Sequence, residues 1–132
     1  MGVNAMSELR KHVSHMKERE IIFVNRMIRS KRYEFTNYSL ERALTRGITN
    51  YSVMKTIRNG KLIEFHLKDD SPRALIRERA NKSSNCTCVV IDMKSNTIVT
   101  VYKNFVGDKH SSLDEEIYDK DINIIEVLKG VL

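Results

Sequence analysis

Residues 39–60, with the sequence SLERALTRGITNYSVMKTIRNG, constrain the fold of this chain more than any other stretch. Two short amphipathic segments end at Gly47 and Gly60, and Thr49 or Asn50 can cap the second one. In the following KLIEFHL the apolar side chains recur with a period of two, which is typical of a half-buried strand. The stretch therefore predicts a helix, a tight turn with Gly47 in the left-handed conformation, a second helix and a strand.

Each of these two helices has an apolar side that we expect to face the core. Asn37 or Ser39 can start the first helix. The predicted inward side chains are Leu40, Ala43 and Leu44 in the first helix, and Tyr51, Val53, Met54 and Ile57 in the second.

Residues 7–32 contain neither glycine nor proline, and Ser7 at their start is a good N-cap. Leu9, Val13, Met16, Phe23 and Met27 recur at helical spacing, so the segment predicts one long basic helix. Its first half has only a narrow apolar stripe. We therefore expect that half to project, as a homodimer seam over residues 9–27, as a docking helix for a partner, or as an arm that lies on nucleic acid.

Four strand-like segments follow the helix pair, and together they predict an antiparallel β-meander. They are residues 61–67, 73–80, 86–93 and 97–105. On the first strand, Ile63, Phe65 and Leu67 should lie on one face, and Leu62, Glu64 and His66 on the other. On the second strand, one face should carry Arg73, Leu75, Arg77 and Arg79. An acidic helix over residues 114–132 completes an α+β fold, with residues 1–34 as a basic helix and residues 35–132 as the main domain.

The formal net charge of +6 is unevenly distributed along the chain. Residues 1–60 carry 12 Lys/Arg against 5 Asp/Glu, whereas residues 108–132 carry 3 against 7. A basic excess favours a polyanionic partner, because binding it releases condensed counterions. There is neither a secretory signal nor an apolar run long enough to span a bilayer, so we expect a cytoplasmic protein without membrane contact.

The two cysteines, Cys86 and Cys88, lie two apart on one predicted strand, which disfavours a disulfide between them. Two thiols fall short of a zinc site unless His66 and His110 complete it. We expect buried, unreactive thiols, no metal and no cofactor. His12 and His15 stand three apart, but no further ligands are apparent near them, so we expect them to be solvated.

The order of motifs in residues 35–104 resembles a prokaryotic domain family of unknown function that is grouped with RelE-like and BrnT-like toxins. The matching pieces are Ser39-Leu40-Glu41-Arg42, Arg46-Gly47-Ile48-Thr49, Asn59-Gly60, the strand with Arg73 and Arg77, Cys88-Val89-Val90-Ile91, and Thr100-Val101-Tyr102. Relatives often have histidine where this chain has Ser39. The resemblance implies a RelE-like fold and an RNA-binding protein that could be a metal-independent toxin-type endoribonuclease.

Metal-free RNA cleavage needs groups that move protons and positive charge for the phosphorane. His66 can act as acid or base, Tyr102 can stack on a base or donate a proton, and Arg73 and Arg77 can stabilise charge. The predicted catalytic residues are therefore His66, Arg73, Arg77 and Tyr102. The predicted nucleic-acid contacts are Arg42, Arg46, Arg73, Arg77 and Lys103, because guanidinium and ammonium groups bind phosphate oxygens.

Two other functions fit the sequence. One is a non-catalytic bacterial or prophage protein that binds a nucleic acid or a protein, such as an antitoxin or a host or phage protein; Ser39 in place of the family histidine favours it. The other is a helix-turn-helix DNA binder with Asn50, Ser52, Lys55 and Arg58 in the groove, although the β-meander would then be unexplained. The chain has no nucleotide-binding glycine loop, serine nucleophile elbow, zinc-protease motif or kinase signature.

Overall fold

A six-stranded mixed sheet carries the helices on one of its faces. The computed structural model describes residues 8–79, 85–105 and 118–131. The strands are β1 (Glu8–His12), β2 (Glu34–Phe35), β3 (Lys61–Lys68), β4 (Ser71–Arg77), β5 (Asn85–Asp92) and β6 (Thr97–Phe105). The helices are α1 (Glu18–Arg29), α2 (Asn37–Thr45), α3 (Asn50–Asn59) and α4 (Ile124–Val131), with a short 3-10 turn at Val13–His15.

The predicted helix pair and the antiparallel meander are confirmed. Strands β3, β4, β5 and β6 pair in sequence order. Strand β5 is an interior strand, as its apolar residues on both faces predict. Thr49 caps α3 by accepting a hydrogen bond from the Ser52 N–H, and Gly47 has φ +66°. The sequence did not predict the two outer strands: β1 pairs antiparallel with β3, and the two-residue β2 pairs parallel with β6.

The single long helix predicted over residues 7–32 is wrong, because residues 8–12 form strand β1 and only residues 18–29 are α-helical. In β1, Leu9 pairs with Leu67 and Lys11 with Phe65, so the strand satisfies the free edge of β3. Long-range pairing therefore overrides the local helical pattern. Met16, Phe23 and Met27 of the candidate dimer seam are partly buried and pack against the chain's own core.

The C-terminal helix is shorter than predicted. It covers residues 124–131, and residues 118–123 are not helical. In this segment Tyr118 forms a parallel bridge with Arg10, and the Asp119 N–H donates to the Arg10 carbonyl at 2.8 Å. The predicted helical residues 114–117, the predicted cap Ser7 and the loop residues 81–84 and 107–112 lie outside the described residues.

The main core lies between the sheet and the helices. Phe65, Ala74, Val89, Ile91 and Val101 of the sheet pack against side chains of all the helices. Those helix side chains are Val24 and Ile28 of α1, Ala43 of α2, Val53 and Ile57 of α3, and Ile124 and Leu128 of α4.

Predicted side-chain orientations in three elements, β3, α2 and α3, need correction. A bulge between Leu62 and Glu64 shifts the register of β3, so Leu62 joins the main core and Ile63 lies on the opposite face. Leu40, Leu44, Tyr51 and Met54 are exposed, because α2 packs through the small residues Ser39 and Ala43, and α3 through Val53, Thr56 and Ile57.

Among the described helices, none combines the length and apolar content needed to cross a membrane.

Candidate functional site on the far face of the sheet

The sheet face turned away from the helices, here called the far face, carries the four predicted catalytic residues. Cross-strand pairing places His66 directly opposite Arg73, and Cys88 pairs with both Arg77 and Tyr102. Residues paired across neighbouring strands point to the same side of a sheet. His66, Arg73, Arg77 and Tyr102 therefore share one face, in two rows: His66 with Arg73, and Arg77 with Tyr102.

Glu64 lies at the centre of the far face and is only 1% exposed. Its Oε2 accepts a hydrogen bond from His66 Nε2 at 2.9 Å and lies 3.7 Å from Arg10 Nη1. Its Oε1 accepts a hydrogen bond from the Tyr118 hydroxyl at 2.5 Å. Both carboxylate oxygens thus have partners, as a buried charge requires. Arg10, Glu64, His66 and Tyr118 are here called the carboxylate network.

The charge state of Glu64 follows from these contacts. Burial raises the pKa of the Glu64 carboxyl, but the hydrogen bonds from His66 and Tyr118 and the positive charge of Arg10 lower that pKa by more. The carboxylate is therefore ionised near neutral pH. Because the Glu64 carboxylate accepts a hydrogen bond from Nε2 of His66, that nitrogen carries a proton. In a neutral His66 imidazole the other ring nitrogen, Nδ1, is therefore the acceptor. No described residue hydrogen-bonds to Nδ1.

Arg73 is held beside His66 by an aspartate on the next strand. Arg73 Nε lies 3.5 Å from Asp92 Oδ2, and the same oxygen accepts a hydrogen bond from the Ser71 hydroxyl. Asp92 Oδ1 accepts the N–H groups of Lys94 and Ser95 at 2.9 and 3.0 Å, which closes the hairpin between β5 and β6. The Arg73 side chain remains 27% exposed, so its guanidinium can also reach a ligand.

Tyr102 is partly buried in the apolar part of the far face, where it packs with Ile63, Leu75, Cys88 and Val90. Burial raises the pKa of its phenol, and the nearby charges of Glu64, Arg10 and Arg77 also act on that pKa. The phenol therefore stays protonated at neutral pH and can donate a hydrogen bond or a proton.

The remaining predicted nucleic-acid contacts lie away from this face. Arg42 stacks its guanidinium over the Tyr38 ring of α2, 5.0 Å from the ring centroid. Arg46 Nη1 donates to the Val101 carbonyl at 2.6 Å, and the exposed Lys103 shares the face of Val101 on β6. Arg42, Arg46 and Lys103 thus lie on the helical side, near β6, whereas Arg73 and Arg77 lie on the far face. The five basic residues do not form one surface.

Sequence reasoning did not single out Glu64, Arg10 or Tyr118 as site residues. Glu64 could have been found, because it stands two residues before His66 on a strand and so shares its face. Arg10 was assigned to a helix. Tyr118 was assigned to the C-terminal helix, and only the long-range pairing of Arg10 with Tyr118 brings it to the site.

Ser39, where the resemblance implies histidine in relatives, has a structural role here. Its hydroxyl accepts hydrogen bonds from the Thr36 N–H at 2.9 Å, and the Ser39 N–H donates to the Thr36 hydroxyl at 3.0 Å. This reciprocal pair is a capping box at the start of α2. Ser39 is fully buried on the helical side, so it belongs to a different part of the molecule from the far face.

The cysteines and histidines give no sign of a metal site in the described part of the chain. Cys86 and Cys88 are buried and form no disulfide, and burial raises the pKa of the Cys88 thiol to about 12, which leaves it protonated. No group of three or more His, Cys, Asp or Glu side chains converges there. His110, the other histidine considered as a ligand, falls outside the residues that the structure describes.

Comparison with known proteins gives one match. Residues 35–103 match the family model described as "Domain of unknown function (DUF4258)", which covers more than half of the chain and ends within one residue of the predicted region of resemblance. The match carries no link to RelE-like or BrnT-like toxins. No curated protein and no solved structure matches the chain. This protein, with its helix pair and antiparallel meander, belongs to the DUF4258 family.

Proposed function

We propose that this protein binds RNA on the far face and cleaves it without a metal ion, as a RelE-like endoribonuclease. One observation carries the proposal: the carboxylate of Glu64 orients a histidine whose Nδ1 is the available acceptor, with Arg73 directly across from it. A carboxylate–histidine pair is a common general base, and an arginine beside it matches the charge of a phosphate.

In the proposed reaction, His66 Nδ1 takes the proton of an RNA 2′-hydroxyl. The 2′-oxygen then forms a bond to the adjacent phosphorus while the bond from phosphorus to the 5′-oxygen breaks. Arg73 and the partly exposed Arg10 stabilise the extra negative charge of the phosphorane. Tyr102 donates the proton that the leaving 5′-oxygen needs, and the products are a 2′,3′-cyclic phosphate and a 5′-hydroxyl.

A second candidate function is RNA binding without cleavage, and the burial of His66 favours it. Its residue surface is only 7% exposed, so the imidazole has little contact with solvent. In this reading the carboxylate network is structural: it fastens β1 and the segment at Tyr118 to β3. Binding would then depend on the more exposed guanidinium groups of Arg10 and Arg73.

The experiment that tests both functions is incubation of the purified full chain with total RNA, with and without EDTA. We expect chelator-resistant cleavage that His66→Gln reduces by about 10²–10⁴-fold, the typical contribution of a general acid or base. Glutamine can still donate a hydrogen bond to Glu64, so the variant should fold. Arg73→Ala should weaken both binding and cleavage, whereas the control Arg79→Ala removes an exposed arginine that donates to the Asn59 carbonyl, away from the site.

The outcomes separate the two functions. Intact RNA together with salt-sensitive binding that Arg73→Ala weakens would reject cleavage and support the binding protein. Cleavage that is unchanged in His66→Gln would assign the activity to another group or to a contaminant. Absence of both binding and cleavage would reject both functions and point to a protein partner.

A further inference from the structure

A cavity of 520 Å³ lies between the end of α1 and the second half of α3. It is on the helical side of the sheet, away from the far face, so it is separate from the proposed RNA site. Among the described residues that line it, four side chains are basic and none is acidic. The basic residues are Arg29, Lys31, Arg32 and Arg58.

The hydrogen bonds of these basic side chains do not neutralise their charge. Arg29 Nε donates to the Arg58 carbonyl at 3.0 Å, and Lys31 Nζ donates to the Met93 carbonyl at 3.1 Å. Both acceptors are neutral. Within the described residues, none of the four basic side chains forms an ion pair with a carboxylate.

The negative ends of helix dipoles balance only part of this positive charge. Both α1 and α3 end at the cavity, and each helix C-terminus is equivalent to about half a negative elementary charge. Two helix ends therefore balance roughly one of the four positive charges. A neighbouring cavity of 440 Å³ shares Arg29 and adds Arg26, which extends the same basic region. An anion in the cavity would relieve the remaining repulsion.

The other side of the cavity is apolar. Ile28 and Ile57 are buried there, and Met54 is exposed. Tyr33 also lines the cavity and is 6% exposed. Its hydroxyl oxygen is enclosed by protein atoms and has no hydrogen-bond partner among the described residues, so it does not open to the cavity.

We propose that this cavity binds a nucleoside phosphate. Its volume lies within the range of small-ligand pockets. Arg32, Arg58 and the free η nitrogens of Arg29 bind the phosphate, because guanidinium groups match phosphate oxygens. Met54 and Ile57 pack on the flat face of the base. The site does not depend on RNA cleavage at the far face.

Isothermal titration calorimetry of the full chain with ADP and GDP tests the proposal, with adenosine and inorganic phosphate as partial ligands. We expect at least one nucleotide to bind about tenfold or more tightly than either partial ligand, because it uses both sides of the cavity. Arg32→Ala and Arg58→Ala should each weaken binding about tenfold or more, the loss expected for a charge-assisted hydrogen bond. Lys55→Ala removes an exposed charge of α3 that does not line the cavity, and it should leave the affinity unchanged.

Three results would overturn the proposal. The first is that neither nucleotide binds at millimolar concentration. The second is that inorganic phosphate binds as tightly as the nucleotides, which would make the apolar side irrelevant. The third is that Arg32→Ala and Arg58→Ala weaken binding of a short RNA while mononucleotides do not bind, which would make this region an RNA surface. Circular dichroism of each variant should match that of the wild type, because Arg32 and Arg58 are exposed.

Discussion

Glu20 is a buried carboxylate on the helical side of the fold, and it shows how a single charged residue joins distant segments. Its two oxygens accept hydrogen bonds from Lys11 Nζ at 3.0 and 3.1 Å, and Oε1 also accepts the Lys17 N–H at 2.9 Å. Lys11 Nζ donates to the Ile122 carbonyl at 2.9 Å as well. Lys11 and Glu20 are each 5% exposed. This pair therefore connects β1, α1 and the segment before α4 inside the protein.

Removal of one partner of this pair should be costly. We predict that Lys11→Ala lowers the free energy of unfolding by about 3–5 kcal/mol, because it leaves the Glu20 charge buried without its cation. Urea denaturation followed by circular dichroism measures the change. The double variant Lys11→Met/Glu20→Leu should lose less than Lys11→Ala, since no buried charge remains.

Lys55→Ala, which removes an exposed charge, is the control for this prediction and should stay within about 0.5 kcal/mol of the wild type. A Lys11→Ala variant that is as stable as Lys55→Ala would show that the buried pair does not stabilise the fold.

Among the elements, the two helix ends marked by Gly47 and Gly60 need glycine for different reasons. Gly47 has φ +66° and open space around it, so it is required for its left-handed conformation. Gly60 has φ −73°, which other residues adopt readily. A Cβ at Gly60 would collide with the Thr56 carbonyl oxygen and would lie 2.7 Å from both the Arg77 carbonyl oxygen and Ile76 Cγ2. Gly60 is therefore required for the close approach of α3 to β4.

Substitutions with alanine and asparagine should separate these two reasons. We predict that Gly60→Ala costs about 1–3 kcal/mol by overpacking against backbone atoms, and that Gly60→Asn costs more. At Gly47 alanine should cost about 1–2 kcal/mol, and asparagine should cost less than alanine because it tolerates the left-handed conformation. Thermal and urea unfolding measure these differences. The same order of alanine and asparagine at both positions would contradict the assignment.

Elements with a strong local pattern could be predicted from the sequence, and elements defined by distant partners could not. Gly47, Thr49 and the alternation after Gly60 fixed the helix pair and β3 through chemistry within a few residues. The stripe of Leu9, Val13 and Met16 fits a helix equally well as a local pattern, and only the free edge of β3 makes residues 8–12 a strand. The bulge at Leu62 has no local signal in the sequence either. The prediction from alternation therefore places Leu62 and Ile63 each on the wrong face of the sheet.

The same limit applied to the candidate site. Its partners on adjacent strands, His66 and Arg73, could be placed on one face because alternation along a strand is local. The network around Glu64 also needs Arg10 and Tyr118, which lie far away in the sequence. Arg42 and Arg46 were grouped with Arg73 by charge alone, and charge does not indicate on which side of a sheet a residue lies.

For the molecule as a whole, the carboxylates that have hydrogen-bond donors and cations beside them predict loss of stability in acid. Contacts with hydrogen-bond donors and cations leave the pKa of Glu8, Glu20, Glu64 and Asp92 below their ordinary values, although burial acts in the opposite direction. A carboxyl whose pKa is lower in the folded state stabilises the fold above its unfolded pKa, and this stabilisation is lost as the pH falls through the folded value. We therefore expect the free energy of unfolding to fall steadily below about pH 4.5.

Urea denaturation between pH 7 and pH 3 measures this dependence. Glu64→Gln should be less stable than the wild type at pH 7 and should lose less stability on acidification, since the titrating group is absent. Glu126→Gln changes an exposed carboxylate of α4 and is the control, whose pH profile should follow that of the wild type. An equal loss on acidification for Glu64→Gln and the wild type would contradict the role given to Glu64.

The pairing of β1 with β3, and of Arg10 with Tyr118, also determines the order in which the chain can assemble. Leu9 leaves the ribosome long before Leu67, and Leu67 long before Tyr118, so the first strand has no edge to join when it is made. Closing such long loops has an entropic cost that local contacts avoid. We therefore expect the helix pair and the hairpins of the meander to form first and β1 to dock afterwards. The beginning of this sheet in sequence is then expected to be among its last parts to reach its place during folding.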